Sequence, residues 1–320
     1  MRIDENRAAE LLEAHDNILI LTHMSPDGDT LGSGTALCRV LLSQGKKAAV
    51  VNSDPIPEKY DYLVKGLPEQ DFEPEYIVAV DIATPALFGK KLSRYSDSVD
   101  LCIDHHPSNS DYAGNLHLMP GDGATCLTLY RILEIMGAEI TPDVAGALYT
   151  GLSTDTGCFR YSNADAECYR VAAELIDCGA DNAWINNRMF ETKPVSYYRL
   201  IPEVFAGMRL FADGRISVFK VTNEMLERTG ATEDVCDSVS AMARQMEGVL
   251  LGITMKQKPD GSYKFSLRTH APLDASEIAK ALGGGGHMRA AGCAVTGNEE
   301  EALEKIIKLA EEQLDKQENI

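Results

Sequence analysis

The sequence predicts an α/β fold in which an N-terminal, doubly wound parallel sheet is followed by a smaller C-terminal α+β domain. Three observations support this prediction. The chain has 320 residues, more than the roughly 100 to 200 of a typical single domain. Short β-rich runs alternate with amphipathic helical patterns up to about residue 190, and the order of elements changes after about residue 207.

The N-terminal part favours strands that alternate with helices. Because the strand-like runs are almost continuously apolar, they suit a parallel sheet that is covered on both faces. The predicted strands are residues 17–22, 47–52, 75–80 and 99–103. The predicted helices are residues 30–44, 123–137, 142–156 and 163–178. We therefore predict a first domain over residues 1–190.

A helical linker with two prolines is predicted over residues 191–207, and a second domain over residues 208–320. Two later strands of this domain flank Pro259-Asp260-Gly261, a typical turn sequence. The predicted strands are residues 208–212, 215–220, 249–257 and 262–269. The predicted helices are residues 222–245, 274–282 and 298–317, with a glycine loop before the last helix.

Charge and composition limit the classes of partner. The formal net charge of −19 argues against binding to long duplex nucleic acid, because that affinity comes mainly from Lys and Arg. Residues 245–298 nevertheless hold six basic and four acidic residues, so a small anion could bind there. The eight cysteines form no C-x-x-C pair, which argues against a zinc knuckle. With no membrane-length apolar run and no signal peptide visible, we expect a cytoplasmic protein without a membrane partner.

Acidic and histidine side chains follow two of the predicted strands. His23, Asp27 and Asp29 come after the first strand, and Asp81 ends the third. Because ligand groups gather at the carboxyl ends of strands in open α/β sheets, we expect these side chains to face a crevice. The sequence Pro-Asp-Gly-Asp is also an ordinary turn, and a lone Asp after a strand is commonly a helix N-cap.

Two further clusters complete a candidate metal site. Asp104-His105-His106 ends the fourth strand, and Asp155 lies near the end of a helix, where negative charge is unfavourable without a cation. Six residues could hold two ions that share bridging carboxylates: His23, Asp27, Asp29, Asp81, His105 and Asp155. Ligands without thiolate favour a hard or borderline divalent ion such as Mn²⁺, while zinc, cobalt and iron stay open.

Such an ion pair favours phosphoester hydrolysis, because two cations can activate water and stabilise both the attacking and the leaving oxygen. Asp81 and Asp155 then count as catalytic residues as well as ligands. His106 could hydrogen-bond a phosphoryl oxygen or assist the leaving group. Alternatively, His106 only orients its neighbours.

A second constellation lies in the C-terminal domain. Arg268 and Thr269 end a predicted strand, and a glycine run precedes His287. Consecutive glycines let backbone N–H groups approach an anion, and Arg supplies charged donors to phosphate oxygens. The same glycines could instead form a flexible connection.

In order, these motifs resemble those of the DHH/DHHA1 phosphoesterases: HMSPDGDTLGSG, VAVDIA, DHHPSN, STDTGCF and SLRTHA followed by GGGGHMRAAGC. The resemblance covers residues 15–297 and is greatest to the short nano-RNase members. It implies an active site in the cleft between a DHH domain and a DHHA1 domain. It also implies that the six ligands hold two Mn²⁺ ions and that His106 lies by the scissile phosphate. The implied nucleotide-binding residues are Arg268, Thr269, Gly284, Gly285, Gly286 and His287.

The resemblance implies hydrolysis of oligoribonucleotides of about two to five nucleotides, which suits an acidic exterior that attracts long polyanions poorly. It also implies removal of the 3′-phosphate from 3′-phosphoadenosine 5′-phosphate (pAp). Relatives that act on cyclic di-AMP or pApA have the same two-domain form and stay an alternative. A nucleotide-binding sensor without turnover is the alternative from another class. The expected partners are short RNAs and small nucleotides, and a homodimer is one option for the oligomeric state.

Overall fold

The computed structural model describes residues 1–318, and all their side chains except those of Glu233, Asp234, Asp237, Ser238, His287, Gln317 and Glu318. The chain divides into two compact units, residues 1–192 and residues from 193 onwards. Within the described residues, no helix has both the length and the apolar character that crossing a bilayer requires.

The first unit contains a five-stranded sheet in which every neighbouring pair of strands is parallel. The strands are β1 (Ile18–Leu21), β2 (Ala48–Val51), β3 (Tyr76–Val80), β4 (Leu101–Asp104) and β5 (Asn115–Leu118). Alternate residues of β1 enter two different cores, since Ile18 and Ile20 pack on one face and Leu19 and Leu21 on the other. Burial on both faces explains the continuously apolar runs and confirms the predicted doubly wound sheet.

Helices cover this sheet. They are α1 (Glu5–Ala14), α2 (Gly28–Ser43), α3 (Asp61–Val64), α4 (Gly89–Leu92), α5 (Thr125–Ile135), α6 (Pro142–Asp155), α7 (Ala166–Asp177) and α8 (Asn182–Asn186). The longer helices α1, α2, α5, α6 and α7 supply the core on one face. The other face is covered mainly by the segment that contains α4.

The strand order, β2-β1-β3-β4-β5, creates a switch point between β1 and β3. The chain leaves β1 for β2 on one side and then crosses to β3 on the other side. At such a point the connections diverge and leave a crevice outside the carboxyl ends of the two central strands. Asp81 lies at this crevice, and so does the segment that starts at His23.

The second unit is built on a six-stranded mixed sheet of order β10-β11-β9-β8-β7-β6, in which only β7 and β8 are parallel neighbours. Its strands are β6 (Arg209–Phe211), β7 (Ile216–Val221), β8 (Leu251–Gln257), β9 (Tyr263–Thr269), β10 (Gly285–His287) and β11 (Ala290–Val295). Its helices are α9 (Val195–Ala206), α10 (Asn223–Thr229), α11 (Glu233–Met242), α12 (Ala275–Lys280) and α13 (Glu299–Glu318). Helix α9 falls in the predicted linker, yet its residues Leu200 and Val204 are buried in the core of this unit.

The helical patterns predicted over residues 222–245 are two helices, because Gly230 adopts a left-handed conformation that ends α10. The prediction of a loop at the glycine run was wrong in part. The predicted glycine loop contains the edge strand β10, paired antiparallel with β11. Gly286 has φ +138°, and a side chain on Gly284 would collide with the Gly292 carbonyl. Glycine at these two positions therefore allows two backbones to lie close together.

Candidate metal centre

The segment after β1 supplies a histidine and a carboxylate. The His23 ring donates from Nδ1 to the Met24 carbonyl at 2.8 Å, and its Nε2 lies 3.6 Å from Asp27 Oδ1. Asp27 also caps α2, accepting from the backbone N–H groups of Asp29 and Thr30. Asp27 is therefore a helix N-cap, and the same carboxylate also faces a histidine nitrogen.

Asp29 is buried and receives two backbone hydrogen bonds from another helix. Its two carboxylate oxygens accept from Thr125 N at 2.6 Å and from Cys126 N at 2.9 Å, at the start of α5. These N–H groups have no partner within the helix itself, so a carboxylate suits this position. The contact fixes Asp29 in orientation and joins α2 to α5.

Asp81 lies between two histidines. Its Oδ2 is 3.5 Å from His23 Nε2 and its Oδ1 is 3.8 Å from His105 Nε2. Thr125 Oγ1 donates to Oδ1 at 2.8 Å, and the side chain is almost fully buried. Asp81 has φ +61°, a strained conformation that clusters at functional sites.

The Asp104-His105-His106 segment directs two imidazole rings. His105 donates from Nδ1 to the Asp122 carbonyl at 3.0 Å, so its Nε2 faces Asp29 at 3.9 Å and Asp155 at 3.4 Å. His106 Nδ1 lies 2.8 Å from the buried carboxylate of Asp104 and 3.5 Å from Asp81. The two rings therefore have different surroundings.

The separations within the cluster suit shared cations. The distances of 3.4–3.9 Å between histidine nitrogens and carboxylate oxygens exceed hydrogen-bond lengths. They fit donor atoms that lie on one cation at roughly 2.0 to 2.6 Å each. Three groups within the described residues have ligand atoms within 4.8 Å of one another: His23, Asp27 and Asp81; Asp29, His105 and Asp155; Asp81, His105 and His106.

The shifted pKa values of the cluster also indicate that positive charge stabilises it. Burial and the charges of Asp81 and Asp155 raise the pKa of Asp29 well above its usual range. Burial and the charge of Asp81 likewise raise the pKa of Asp155 to about 7. Burial lowers the pKa of His23, but the nearby carboxylates of Asp27 and Asp81 outweigh it and raise the pKa to about 11. Without cations, the cluster holds protons in their place.

The nearest cysteine is not a suitable ligand. Cys126 donates from its thiol to the Asp29 carbonyl at 3.6 Å. Burial and the charge of Asp29 raise the pKa of this thiol well above its usual range, so it stays protonated. The donor set is therefore oxygen and nitrogen, as predicted from the sequence.

The residues predicted in the second unit lie on β9 and β10, except Gly284, which directly precedes β10. Arg268 stands opposite Ala290 of β11, and its Nη1 donates to the Leu267 carbonyl at 3.1 Å. Thr269 is buried, and its hydroxyl donates to the Met288 carbonyl at 2.9 Å. A side chain on Gly285 would have nothing within 4 Å, unlike one on Gly284 or Gly286. The side chain of His287 lies outside the described residues.

Comparison with known proteins decides the family. Residues 17–152 match the model of the DHH family N-terminal domain, and residues 215–316 match that of the DHHA1 domain. The bifunctional oligoribonuclease and PAP phosphatase of Thermus thermophilus is 34% identical over 316 residues, covering 96% of this chain and 93% of the relative. The chain belongs to the DHH/DHHA1 family of phosphoesterases. Members of this family are metal-dependent hydrolases that cleave phosphate esters.

Other known proteins resemble this chain at lower identity. The cyclic-di-AMP phosphodiesterase of Listeria monocytogenes is 23% identical, over 90% of this chain and 46% of its own length. An exopolyphosphatase-related protein from Bacteroides fragilis has the same fold, with a TM-score of 0.88, 24% identity, and coverage of 96% and 95% of the two chains. The RecJ structure in complex with Mn²⁺ from Thermus thermophilus has a TM-score of 0.54 and 16% identity, covering 96% of this chain and 55% of RecJ.

The DHH domain also contains supporting residues that sequence reasoning missed. Asp104 accepts hydrogen bonds from His106 Nδ1, from the backbone N–H groups of His105 and His106, and from Asn109 Nδ2 at 2.7 Å. Thr125 contacts two of the proposed carboxylate ligands. Asp104 could have been found from its place at a strand end. Thr125 carries no such signal, because its role depends on a contact between distant segments.

Proposed function

We propose that this protein is a two-metal phosphoesterase that hydrolyses short oligoribonucleotides to mononucleotides and removes the 3′-phosphate from pAp. The observation that carries the proposal is the convergence of six side chains from four separate segments on one crevice. The printed names of relatives that cover almost the whole chain support the choice of substrates.

The proposed ligands divide into two half-sites. His23 and Asp27 belong to one, whereas Asp29, His105 and Asp155 belong to the other. Asp81 faces a histidine of each half-site, so it would help to hold an ion in either one. Bound ions would neutralise the charge of a phosphoryl group and lower the pKa of water at the site. The oxygen and nitrogen donors and the Mn²⁺ of the RecJ relative support manganese.

His106 is proposed to contact the phosphate that is cleaved. Burial lowers its pKa, but the hydrogen bond to Asp104 and the charge of Asp81 outweigh it and raise the pKa to about 9. A raised pKa favours the protonated ring, which can donate a hydrogen bond to a phosphoryl oxygen or to the leaving group. Asp104 holds Nδ1, which directs Nε2 to this task.

The proposed nucleotide-binding residues are those of the second unit: Arg268, Thr269, Gly284, Gly285, Gly286 and His287. Arg268 supplies the positive charge, and the open space at Gly285 allows close approach of a ligand to the backbone. Because the protein as a whole carries a net charge of −19, we further propose that long duplexes bind poorly. We propose a cytoplasmic location and include the homodimer among the states to be measured.

A second candidate function is the cleavage of cyclic di-AMP or pApA. The relative from Listeria monocytogenes, named as a cyclic-di-AMP phosphodiesterase, favours it. The higher identity and more complete coverage of the Thermus thermophilus relative favour the oligoribonuclease assignment. A sensor without turnover is disfavoured, because a degenerate site would lack one or more of the six ligands.

A turnover panel with Mn²⁺ separates these functions. The substrates are a dinucleotide, a pentamer, a 24-mer, pAp, pApA and cyclic di-AMP, each also tested with EDTA. We expect the highest kcat/KM for the dinucleotide, the pentamer and pAp. Preference for the 24-mer would overturn the short-substrate proposal, and preference for cyclic di-AMP would select the second candidate.

Variants test the assignment of residues. Asp81→Ala, and the double variant His105→Ala with His106→Ala, should abolish hydrolysis, with Asp143→Ala on the surface of α6 as a matched control. Retained turnover with saturating Mn²⁺ would contradict the assigned site. Arg268→Ala should mainly raise KM, whereas a fall in kcat at constant KM would place Arg268 in the chemical step.

A further inference from the structure

The turn between β5 and α5 connects several proposed ligands. It spans residues 119–124, and we call it the β5–α5 turn. Within it, the Asp122 carbonyl accepts the hydrogen bond from His105 Nδ1 at 3.0 Å. Directly after it, Thr125 donates to Asp29 and to Asp81. The position of this turn therefore determines where three of the six proposed ligands point.

The Asp122 side chain anchors this turn to α5. Its Oδ2 accepts from Thr128 Oγ1 at 2.5 Å and from Arg131 Nη2, and only 9% of the side chain is exposed. Both donors lie within the next nine residues, on the helix that the turn precedes. The Asp122 carboxylate therefore fixes the turn to α5, and the Asp122 backbone carbonyl holds the His105 ring.

Arg131 neutralises more than one carboxylate. Its Nη1 lies 2.8 Å from Glu167 in the first turn of α7, and its Nε lies 3.7 Å from Glu5 in the first turn of α1. The Arg131 side chain is 18% exposed. Removal of this guanidinium leaves Asp122 buried beside two other carboxylates, and a buried charge without its partner is strongly unfavourable. The β5–α5 turn must then shift to hydrate Asp122.

We propose that Arg131 is a positioning residue for the metal ligand His105, acting through the side chain and then the carbonyl of Asp122. The inference rests on the proposed function, because it assumes that His105 binds a cation. The Asp122 carbonyl sets the tautomer of the ring and keeps Nε2 directed at the cluster. Partners of this kind typically change metal affinity 10- to 100-fold when they are removed, which is roughly the loss expected here.

The direction of the effect separates positioning from simple electrostatics. Loss of a positive charge near a cation site, with nothing moved, raises the affinity for cations. Loss of a positioning residue lowers that affinity, because a misdirected imidazole no longer contributes a ligand. Arg131→Met therefore gives opposite changes under the two explanations.

The experiment measures Mn²⁺ binding by isothermal titration calorimetry to metal-free full-length protein. The variants are Arg131→Met, Arg131→Lys, and Arg131→Met combined with Asp122→Asn. Arg170→Met, an exposed arginine on α7, is the matched control. We expect about 10- to 100-fold weaker binding for Arg131→Met and an intermediate loss for Arg131→Lys, because an ammonium cannot contact two carboxylates as a guanidinium does. The double variant should recover most of the affinity, since it removes the buried charge and keeps the carbonyl.

Each outcome has a distinct meaning. Failure of the wild type to bind Mn²⁺ would overturn the proposed function as well. Normal binding by both the wild type and Arg131→Met would overturn only the role of Arg131. A loss that the second substitution does not recover would also overturn it, because the cause would then be the missing contacts to Glu5 and Glu167. If Arg131→Met does not fold, Thr128→Val tests the same anchor, and unchanged Mn²⁺ affinity in that variant would overturn the proposal.

Discussion

Replacement of Asp155 by asparagine should stabilise the metal-free protein while it removes a proposed ligand. Asp155 ends α6, where the unpaired carbonyls disfavour negative charge. It also lies close to His105 and within a cluster of other carboxylates. Asparagine has nearly the same shape and no charge, so it keeps the packing and removes the repulsion.

The magnitude follows from the pKa. Burial, together with the charges of neighbouring carboxylates, raises the pKa of Asp155 from 3.8 to about 7. The unfolded chain therefore releases this proton first, and the stability of the folded protein falls as the pH rises from 3.8 to 7. The full difference corresponds to about 4 kcal/mol above pH 7. Because the side chain is 32% exposed, screening by solvent reduces the expected gain to about 1 to 2 kcal/mol.

The assay is urea unfolding followed by circular dichroism, with EDTA, at pH 5 and pH 8. At pH 8 the Asp155→Asn variant should show the full stabilisation. At pH 5 it should show about two-fifths of that amount, because most of the interval between the unfolded pKa of 3.8 and the folded pKa of about 7 lies above pH 5. Saturating Mn²⁺ should then stabilise the wild type more than the variant. A gain of equal size at both pH values, or a loss at pH 8, would refute the argument that burial and neighbouring charges raise the pKa of Asp155.

Three further predictions concern other parts of the protein. Mn²⁺ binding should release protons, and the Mn²⁺ affinity should fall from pH 8 to pH 6, because the pKa of His23 is raised to about 11 in the metal-free cluster. Calorimetry in buffers of different ionisation enthalpy measures the number of protons released. Asp104→Asn should lower kcat about 10- to 100-fold at nearly constant KM, because His106 loses its charged partner; an unchanged kcat would exclude a role for this contact. Gly285→Ala should leave the unfolding free energy unchanged and raise KM. Gly284→Ala should instead destabilise the protein by about 1 to 3 kcal/mol, because its side chain meets a backbone carbonyl. Equal unfolding free energies for the two variants would contradict the packing described for the strand.

Much of the first domain could be predicted because burial on both faces demands continuously apolar strands. Strand β5 could not, since Asn115–Leu118 alternates polar and apolar residues and includes a buried histidine, so it forms no apolar run. Helix α1 is absent from the predicted elements, although Leu11 and Leu12 place it in the core. Strands β10 and β11 are rich in glycine and alanine, which normally disfavour strands, and here the close approach of two backbones decides the structure.

Five of the proposed ligands could be predicted because they follow strand ends, where the topology of parallel sheets gathers polar groups. The sixth, Asp155, could be predicted from its unfavourable place at the end of a helix. The residues that hold them could not. Thr125 lies 96 positions from Asp29, and Asp122 acts through its backbone, so neither leaves a local pattern. Arg131 looks like an ordinary polar residue of a helix until its neighbours on α1 and α7 are known.

A ribosome adds Thr125 and Cys126 almost a hundred residues after Asp29, and the order of synthesis matters for this carboxylate. Before α5 emerges, Asp29 lacks the two backbone donors that compensate its burial, and sequestering it alone would cost roughly several kcal/mol. A nascent chain that ends before residue 125 therefore keeps this carboxylate in water and lacks the helix α5 that helps to cover one face of the sheet. Asp155 is synthesised later still, so a chain can bind cations with the whole ligand set only after α6 has been completed.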